Sequence, residues 1–243
     1  MDGQWRNFLR NLGAWRGSFA SLSPTGELRH TTASLLTLEA SDDDRLVTFS
    51  LQRWPTDAPV GEPSRSMSQE YRSLGRQVVF FESGAFCKGS LQVAPATVFG
   101  GEFAFVIANR RHRLVHLTDS EGVPAELVLI REHREGTAAD ERPPATAEQL
   151  RGPWQGQATT ISADWWVPAT ADCRFAIDDE GSAGWRWLPD GGFCRLPERV
   201  SHRQAFSVEA GWLVAPDRLE RLIRRYDASG AWTSATHEVL SRV

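Results

Sequence analysis

The chain carries its own pattern twice, which restricts it to folds that can be built by repeating one unit. Gly13-Ala14-Trp15-Arg16-Gly17 returns as Gly152-Pro153-Trp154-Gln155-Gly156, the same GxWxG spacing 139 residues later. Further on, Gly84-Ala85-Phe86-Cys87-Lys88 returns as Gly191-Gly192-Phe193-Cys194-Arg195. Arg113-Leu114, followed by Asp119 and Gly122, returns as Arg221-Leu222, followed by Asp227 and Gly230; these later offsets are 107 and 108. A steady offset over two separate stretches marks a duplication, and its drop from the first value leaves about thirty extra residues in the first copy. They fall at 55–76, where Pro55, Pro59, Gly61, Pro63 and Gly75 stand among serines, a composition that predicts a long excursion from a compact unit. The reading is a first module over 1–134, a linker over 135–145 containing Pro143-Pro144, and a second, smaller module over 146–243.

Each module opens on a helical turn. Trp5, Phe8, Leu9 and Leu12 recur at i, i+3, i+4 and i+7, and Thr146-Ala147-Glu148-Gln149 has the form of a capping box. After that, short apolar or alternating runs predict strands, among them Leu46 to Leu51, Phe103 to Ala108 and Arg113 to Thr118, then Gln155 to Ile161, Ala183 to Leu188, Gln204 to Glu209 and Arg221 to Tyr226. Turn signals separate them, including Pro24-Thr25-Gly26, Asp42-Asp43-Asp44, Ser120-Glu121-Gly122, Asp179-Glu180-Gly181 and Ala228-Ser229-Gly230. Strands this closely spaced form a meander, and closing it into a barrel removes its edges. The fold class expected is therefore all-β: two tandem antiparallel meander barrels, each preceded by a short helix, each long enough to bury its own core.

A net charge of −4, with charged residues at 24%, argues against nucleic acid as a partner. No apolar run is long enough to span a membrane, and the start lacks a secretion signal, so a cytoplasmic protein is expected. Cys87, Cys173 and Cys194 have no CxxC spacing and read as buried small hydrophobes. Lys88 is the only lysine, so any Schiff-base chemistry would have to use it. Zincin, phosphate-loop and nucleophile-elbow motifs are missing, no catalytic residue is assigned, and no cofactor is required. His112 and His116 share a strand, about 13 Å apart, too far to hold one metal ion together. Asp42 to Asp44 read as a hairpin tip, and Arg110-Arg111-His112-Arg113 as a hairpin surface.

A short helix, GxWxG on the first strand, and a meander whose last strand ends in arginine resemble the calycins, the superfamily of lipocalins and fatty-acid-binding proteins. Trp5 through Phe19 look like the opening of a double-calycin family of cyanobacteria and plants. The resemblance implies that each first-strand tryptophan packs on a last-strand arginine, pairing Trp15 with Arg131 and Trp154 with Arg242. It also implies lipocalin-like barrels able to hold an apolar ligand. The chain's ten tryptophans and twelve phenylalanines suit such an interior.

The candidate ligand-binding residues are Arg224, Tyr226, Trp185, Trp187, His116 and Thr118. Arg224 and Tyr226 share a strand face and resemble the arginine and tyrosine that grip carboxylates in fatty-acid-binding proteins, though a solvated outer face is the competing reading. His116 and Thr118 are their counterparts in the first module. Trp185 and Trp187 share a face as core or pocket wall, and Trp165-Trp166 could form a rim. The expected function is binding of an apolar, carboxylated small molecule, a fatty acid or a linear tetrapyrrole. The alternatives are a chromophore lyase or lipid isomerase on the same fold, and a scaffold docking a protein partner.

Overall fold

The computed structural model describes residues 3–164, 167–177 and 184–243. The rim reading of Trp165-Trp166, the hairpin signal Asp179-Glu180-Gly181 and the start of the strand expected from Ala183 fall outside the described residues. The fold is all-β with short helices, and its two antiparallel sheets are curled into half-barrels, one from each half of the chain. Helix α1 (Gly3–Leu9) leads into β1 (Gly13–Leu22), β2 (Leu28–Ala40), β3 (Val47–Arg53), β4 (Arg65–Tyr71), β5 (Val78–Phe80), β6 (Phe86–Gly89), β7 (Gly100–Ile107), β8 (Arg110–Thr118) and β9 (Pro124–Arg134). In space they run β4-β3-β2-β1-β9-β8-β7-β6-β5, so the first strand pairs with the last. Helix α2 (Ala147–Leu150), started by the expected capping box on Thr146, precedes β10 (Gly152–Ser162), β11 (Ala169–Ile177), β12 (Trp185–Trp187), β13 (Gly192–Arg195), β14 (Phe206–Ala215), β15 (Arg218–Tyr226) and β16 (Trp232–Arg242). Their order is β11-β10-β16-β15-β14-β13-β12.

The sheets stop short of closure, because β4 and β5 end the first and β11 and β12 end the second without pairing. Strand β4 lies inside the stretch expected as an excursion. All its residues up to Glu70 are exposed, so it shows none of the alternation by which a half-buried strand is read.

The repeated GxWxG has a physical cause in both copies. Its first glycine takes a left-handed conformation, at φ +111 for Gly13 and +94 for Gly152. A Cβ on its second glycine would strike the last strand's backbone, at the Arg131 carbonyl for Gly17 and the Val239 carbonyl for Gly156. Between them Trp15 and Trp154 are wholly buried, each indole N–H donating to the carbonyl four positions earlier, that of Asn11 just after α1 and that of Leu150 at the end of α2. Arg242 lies 4.4 Å from the Trp154 ring centre, as expected. The partner of Trp15 is Arg134, at 4.0 Å, and Arg131 instead pairs with Glu141. Strand β9 runs four residues beyond its last apolar run, and the residue opposite Trp15 is Arg134.

The halves also do not bury separate cores. Each sheet has an inner, concave cluster, around Trp5, Phe8 and Trp15 in the first and Trp154, Phe193 and Leu219 in the second. The largest cluster lies between the sheets, where Phe103, Phe105, Leu114 and Leu129 meet Val208, Ala210, Trp212 and Leu222. This seam repeats the internal symmetry of the sequence. Val200 N–H donates to the Gly122 carbonyl at 2.8 Å, and its counterpart Val93 donates to Gly230, the counterpart of Gly122, at 2.8 Å. Phe105 and its counterpart Trp212 touch each other across the seam, ring centroids 6.4 Å apart. Burial of two apolar sheet backs removes the surface that each half-barrel alone would leave in water. Cys87 and Cys194 are buried in the seam, while Cys173 is half-buried elsewhere.

Candidate functional site

Strand β8 sends its side chains alternately to the concave face and to the seam. Arg111 and Arg113 point to the concave side and converge on Glu132 of the neighbouring β9. Arg111 binds the carboxylate through Nε at 2.7 Å and Nη2 at 3.0 Å, and Arg113 through Nε at 2.9 Å and Nη2 at 3.0 Å. Arg113 Nη1 reaches Glu102 on β7 at 2.8 Å, and Arg111 also lies 4.4 Å from the Trp15 ring centre. Burial alone would push the Glu132 carboxyl up, but the two guanidinium groups hold it below the usual carboxylate range. Two forked contacts on one carboxylate fix all three side chains in place. The expectation that Arg110 to Arg113 form a surface is corrected: Arg111, His112 and Arg113 are buried, because the strand that carries them is covered on both faces.

These groups form one end of a cavity of about 540 Å³ inside the first half-barrel. Phe8, Leu36, Leu38, Phe49, Phe80 and Phe86 form an apolar part of its wall, Asn11, Gln69, Glu70, Arg72 and Gln77 a polar part, and Glu102, Arg111 and Arg113 meet there with Lys88, the cross-strand neighbour of Glu102. Lys88 is exposed and forms no ion pair among the described residues. The second half repeats the ion pair in Arg221, which bonds Glu209 at 2.7 Å and Glu238 at 2.6 Å. There the Phe175 ring lies against it at 3.9 Å, filling the space that the first half leaves open.

The six residues expected to bind ligand fall into two groups on opposite faces of the sheets. Arg224 and Tyr226 are buried in the seam, neither solvated nor lining the cavity just described. Arg224 Nε donates to Tyr226 Oη at 3.1 Å, its guanidinium lies 4.7 Å from the Trp232 ring centre, and Tyr226 Oη donates to the Ser90 carbonyl at 2.9 Å. His116 and Thr118 enter the same seam from the first sheet. Phe99 stands between the pairs, 5.3 Å from the His116 ring and 5.2 Å from Tyr226, with its N–H donating to Thr118 Oγ1 at 3.0 Å. Trp185 and Trp187 point into the second half-barrel, packed on Phe193 at 5.3 and 6.1 Å. Asp43, in the expected hairpin tip, is bonded by Ser41 and Arg45. Among the described residues no three His, Cys, Asp or Glu side chains are grouped to hold a metal, and no helix is long and apolar enough to cross a membrane.

The letters alone place Arg111 and Arg113 on a hairpin surface and single out neither Glu102 nor Glu132. One signal for them was available: Glu102 recurs as Glu209 at nearly the offset that carries Arg113 to Arg221, so a cation and a carboxylate return together.

Residues 1–137 match the family described as "Domain of unknown function (DUF3598), N-terminal". Residues 141–184 and 185–243 match "Biogenesis factor required for ATP synthase 1, C-terminal domain". No curated protein matches the sequence. Among solved structures, a DUF3598-family protein from Nostoc punctiforme is 36% identical over 100% of both chains, with a TM-score of 0.90. An S-type phycobiliprotein lyase from Guillardia theta is 10% identical over 100% of this chain and 98% of its own, with a TM-score of 0.19. A putative AttH from Nitrosomonas europaea is 8% identical over 99% and 96%, at 0.20. Superpositions as poor as the last two carry no argument about this chain.

Proposed function

The chain belongs to the DUF3598 family, and from that footing we propose that it binds an apolar small molecule with an acidic group, a fatty acid or a linear tetrapyrrole, inside its first half-barrel. The observation that carries this reading is the cavity of about 540 Å³, which sets an apolar wall of Phe8, Leu36, Leu38, Phe49, Phe80 and Phe86 against an end where Arg111, Arg113 and Lys88 meet Glu102. That volume lies in the ordinary range for ligand pockets, roughly 300–1,000 Å³. Arg111 and Arg113 are already neutralised by Glu132 and Glu102, whereas Lys88 stands at the same end with no ion-pair partner among the described residues. An acid group beside Lys88 and Arg113 would gain a charge-assisted contact while its apolar body lies against Phe8, Phe49 and Phe80.

Titration with palmitic acid and with biliverdin, followed by tryptophan emission, tests the reading directly. Saturable quenching is expected from at least one, and native mass spectrometry of protein taken from its own host should reveal a co-purified molecule of that class. Met67 lines the cavity from the exposed edge strand β4, so Met67→Trp should weaken binding without touching a buried core. Binding indifferent to that ring, or no binding of either acid, would remove the proposal.

A second reading rests on the match of residues 141–243 to the C-terminal domain of an ATP synthase biogenesis factor. On it, the chain assists assembly of a protein complex through its second half. Loss of the gene would then lower the amount of assembled ATP synthase, and an unchanged amount would dismiss it.

A further inference from the structure

A second cavity, of about 560 Å³, lies between the two halves. Gln4 and Asn7 of α1 and Phe80 and Phe81 border it from the first half, and Thr159, Ile161, His237 and Val239 on β10 and β16 from the second. His237 is only 5% exposed, and its Nε2 lies 3.1 Å from the Glu220 carboxylate, which is 1% exposed. Arg218 occupies the other oxygen of Glu220 at 2.8 Å. Burial would raise the Glu220 carboxyl, but the hydrogen bond from His237, together with Arg218, holds it below the usual carboxylate range. An ionised carboxylate can only accept, so the Nε2 atom facing it carries a proton, and a ring with a single proton presents Nδ1 as an acceptor. Among the described residues Nδ1 has no hydrogen-bond partner, and it is not among the polar atoms shut away from open space.

We propose that this seam cavity is a binding site for a small apolar molecule bearing a hydroxyl or phenol group, whose O–H donates to His237 Nδ1. Glu220 fixes the tautomer and so acts as a positioning residue. Phe80, Phe81, Ile161 and Pro168 give the cavity an apolar wall for the body of the ligand, and Arg6 and Glu82, also in its lining, bring one charge of each sign, so no net charge is called for in the ligand. A neutral donor on an aromatic body suits that lining. The chemistry differs from that of the first half-barrel, where the unpaired group is a cation.

The probes are 2-naphthol and 2-methoxynaphthalene, which share an aromatic body and differ in the donor. Fluorescence titration of the full chain should show 2-naphthol binding about fivefold more tightly, the effect of one net hydrogen bond. His237→Phe should erase that preference. Val239→Trp adds a ring to a half-exposed position of the cavity wall and should abolish 2-naphthol binding. Should His237→Phe not fold, nitrogen-15 spectra of the unaltered protein give the same answer, since 2-naphthol must move the Nδ1 resonance of His237. Equal affinity for the two probes, a stationary Nδ1 resonance, or binding that survives Val239→Trp would each overturn the proposal.

Discussion

His112 on β8 lies flat against Trp212 on β14, ring centroids 5.3 Å apart and planes 20° apart, so an imidazole of one half is stacked on an indole of the other. Burial pushes its pKa down to about 4, although the nearby Asp190 carboxylate acts the other way. His116, in the same seam, is lowered to about 3 by burial and then by the charge of Arg224. Unfolded, both return towards 6.5, so the unfolded chain binds more protons below that pH. Stability is therefore full above about pH 6.5 and falls as the pH drops towards 4 and then 3, on the order of 1 kcal/mol per pH unit for each histidine. Urea midpoints should be lower at about pH 5 than at about pH 7.5, and His112→Phe should flatten the difference. Equal midpoints in the unaltered protein would contradict the buried, neutral imidazoles.

Arg134 closes the base of the first half-barrel by stacking on Trp15 and by donating through Nη1 to the Leu12 carbonyl at the end of the α1 turn. Arg134→Ala loses both contacts and should cost about 1–2 kcal/mol, whereas Arg131→Ala, which gives up an ion pair with Glu141, should cost less than 1 kcal/mol. Chemical denaturation of the two variants side by side checks the order. A larger loss at Arg131 would reassign the stacking partner.

Gly17→Ala and Gly156→Ala each place a methyl group against a carbonyl of the neighbouring last strand. Both should destabilise by about 1–3 kcal/mol, the range for a forced steric insertion. The expected outcome is a lower melting temperature in both variants, because the same close approach is built into both copies. A variant that melts with the parent would show that the strands can move apart without loss.

These contacts also show what could be read from the letters. The duplication and the two leading helices were legible, since turn glycines and a capping box are local features, whereas the Trp154–Arg242 pair joins the first and last strands of its sheet and was reached through the resemblance to calycins. The Trp15 partner was misplaced because strand length past the last apolar residue is set by pairing to β1, and sequence alone does not reveal that register. Arg111, Arg113, Arg224 and His116 were harder for one reason: a strand covered on both faces carries polar groups inward on each side, and its pattern then resembles a solvated one. Exposed β4 failed in the opposite sense, having no covered face to impose alternation. Which charges lie inside depends on how the two halves pack, a contact between residues far apart in the chain.

Arg224 tests that dependence. It is wholly buried, with Tyr226 Oη at 3.1 Å, and has no carboxylate among its described partners. A buried charge without a counter-charge is costly, so an apolar side chain of similar volume in its place removes that cost. Arg224→Met should therefore leave stability unchanged or raised, and should leave palmitate affinity of the first cavity untouched. Weakened binding in a folded Arg224→Met would return Arg224 to the ligand and undo the assignment to the seam.

Lys88 provides the most direct report on the first half-barrel, because no other side chain in the protein is a primary amine. It is exposed and lines the cavity end at which Arg113 meets Glu102, so an amine-selective acylating reagent should modify this side chain readily in the free protein. An acidic ligand lying against it would both shield the amine and favour its charged, unreactive form. Saturating palmitate should therefore slow acylation at Lys88 several-fold, measured by peptide mass spectrometry with the α-amino group as an internal reference. Hexadecanol, matching the chain but lacking the acid, should protect less. Protection by both to the same degree would mean that the apolar wall alone holds the ligand and that Lys88 has no part in choosing an acid.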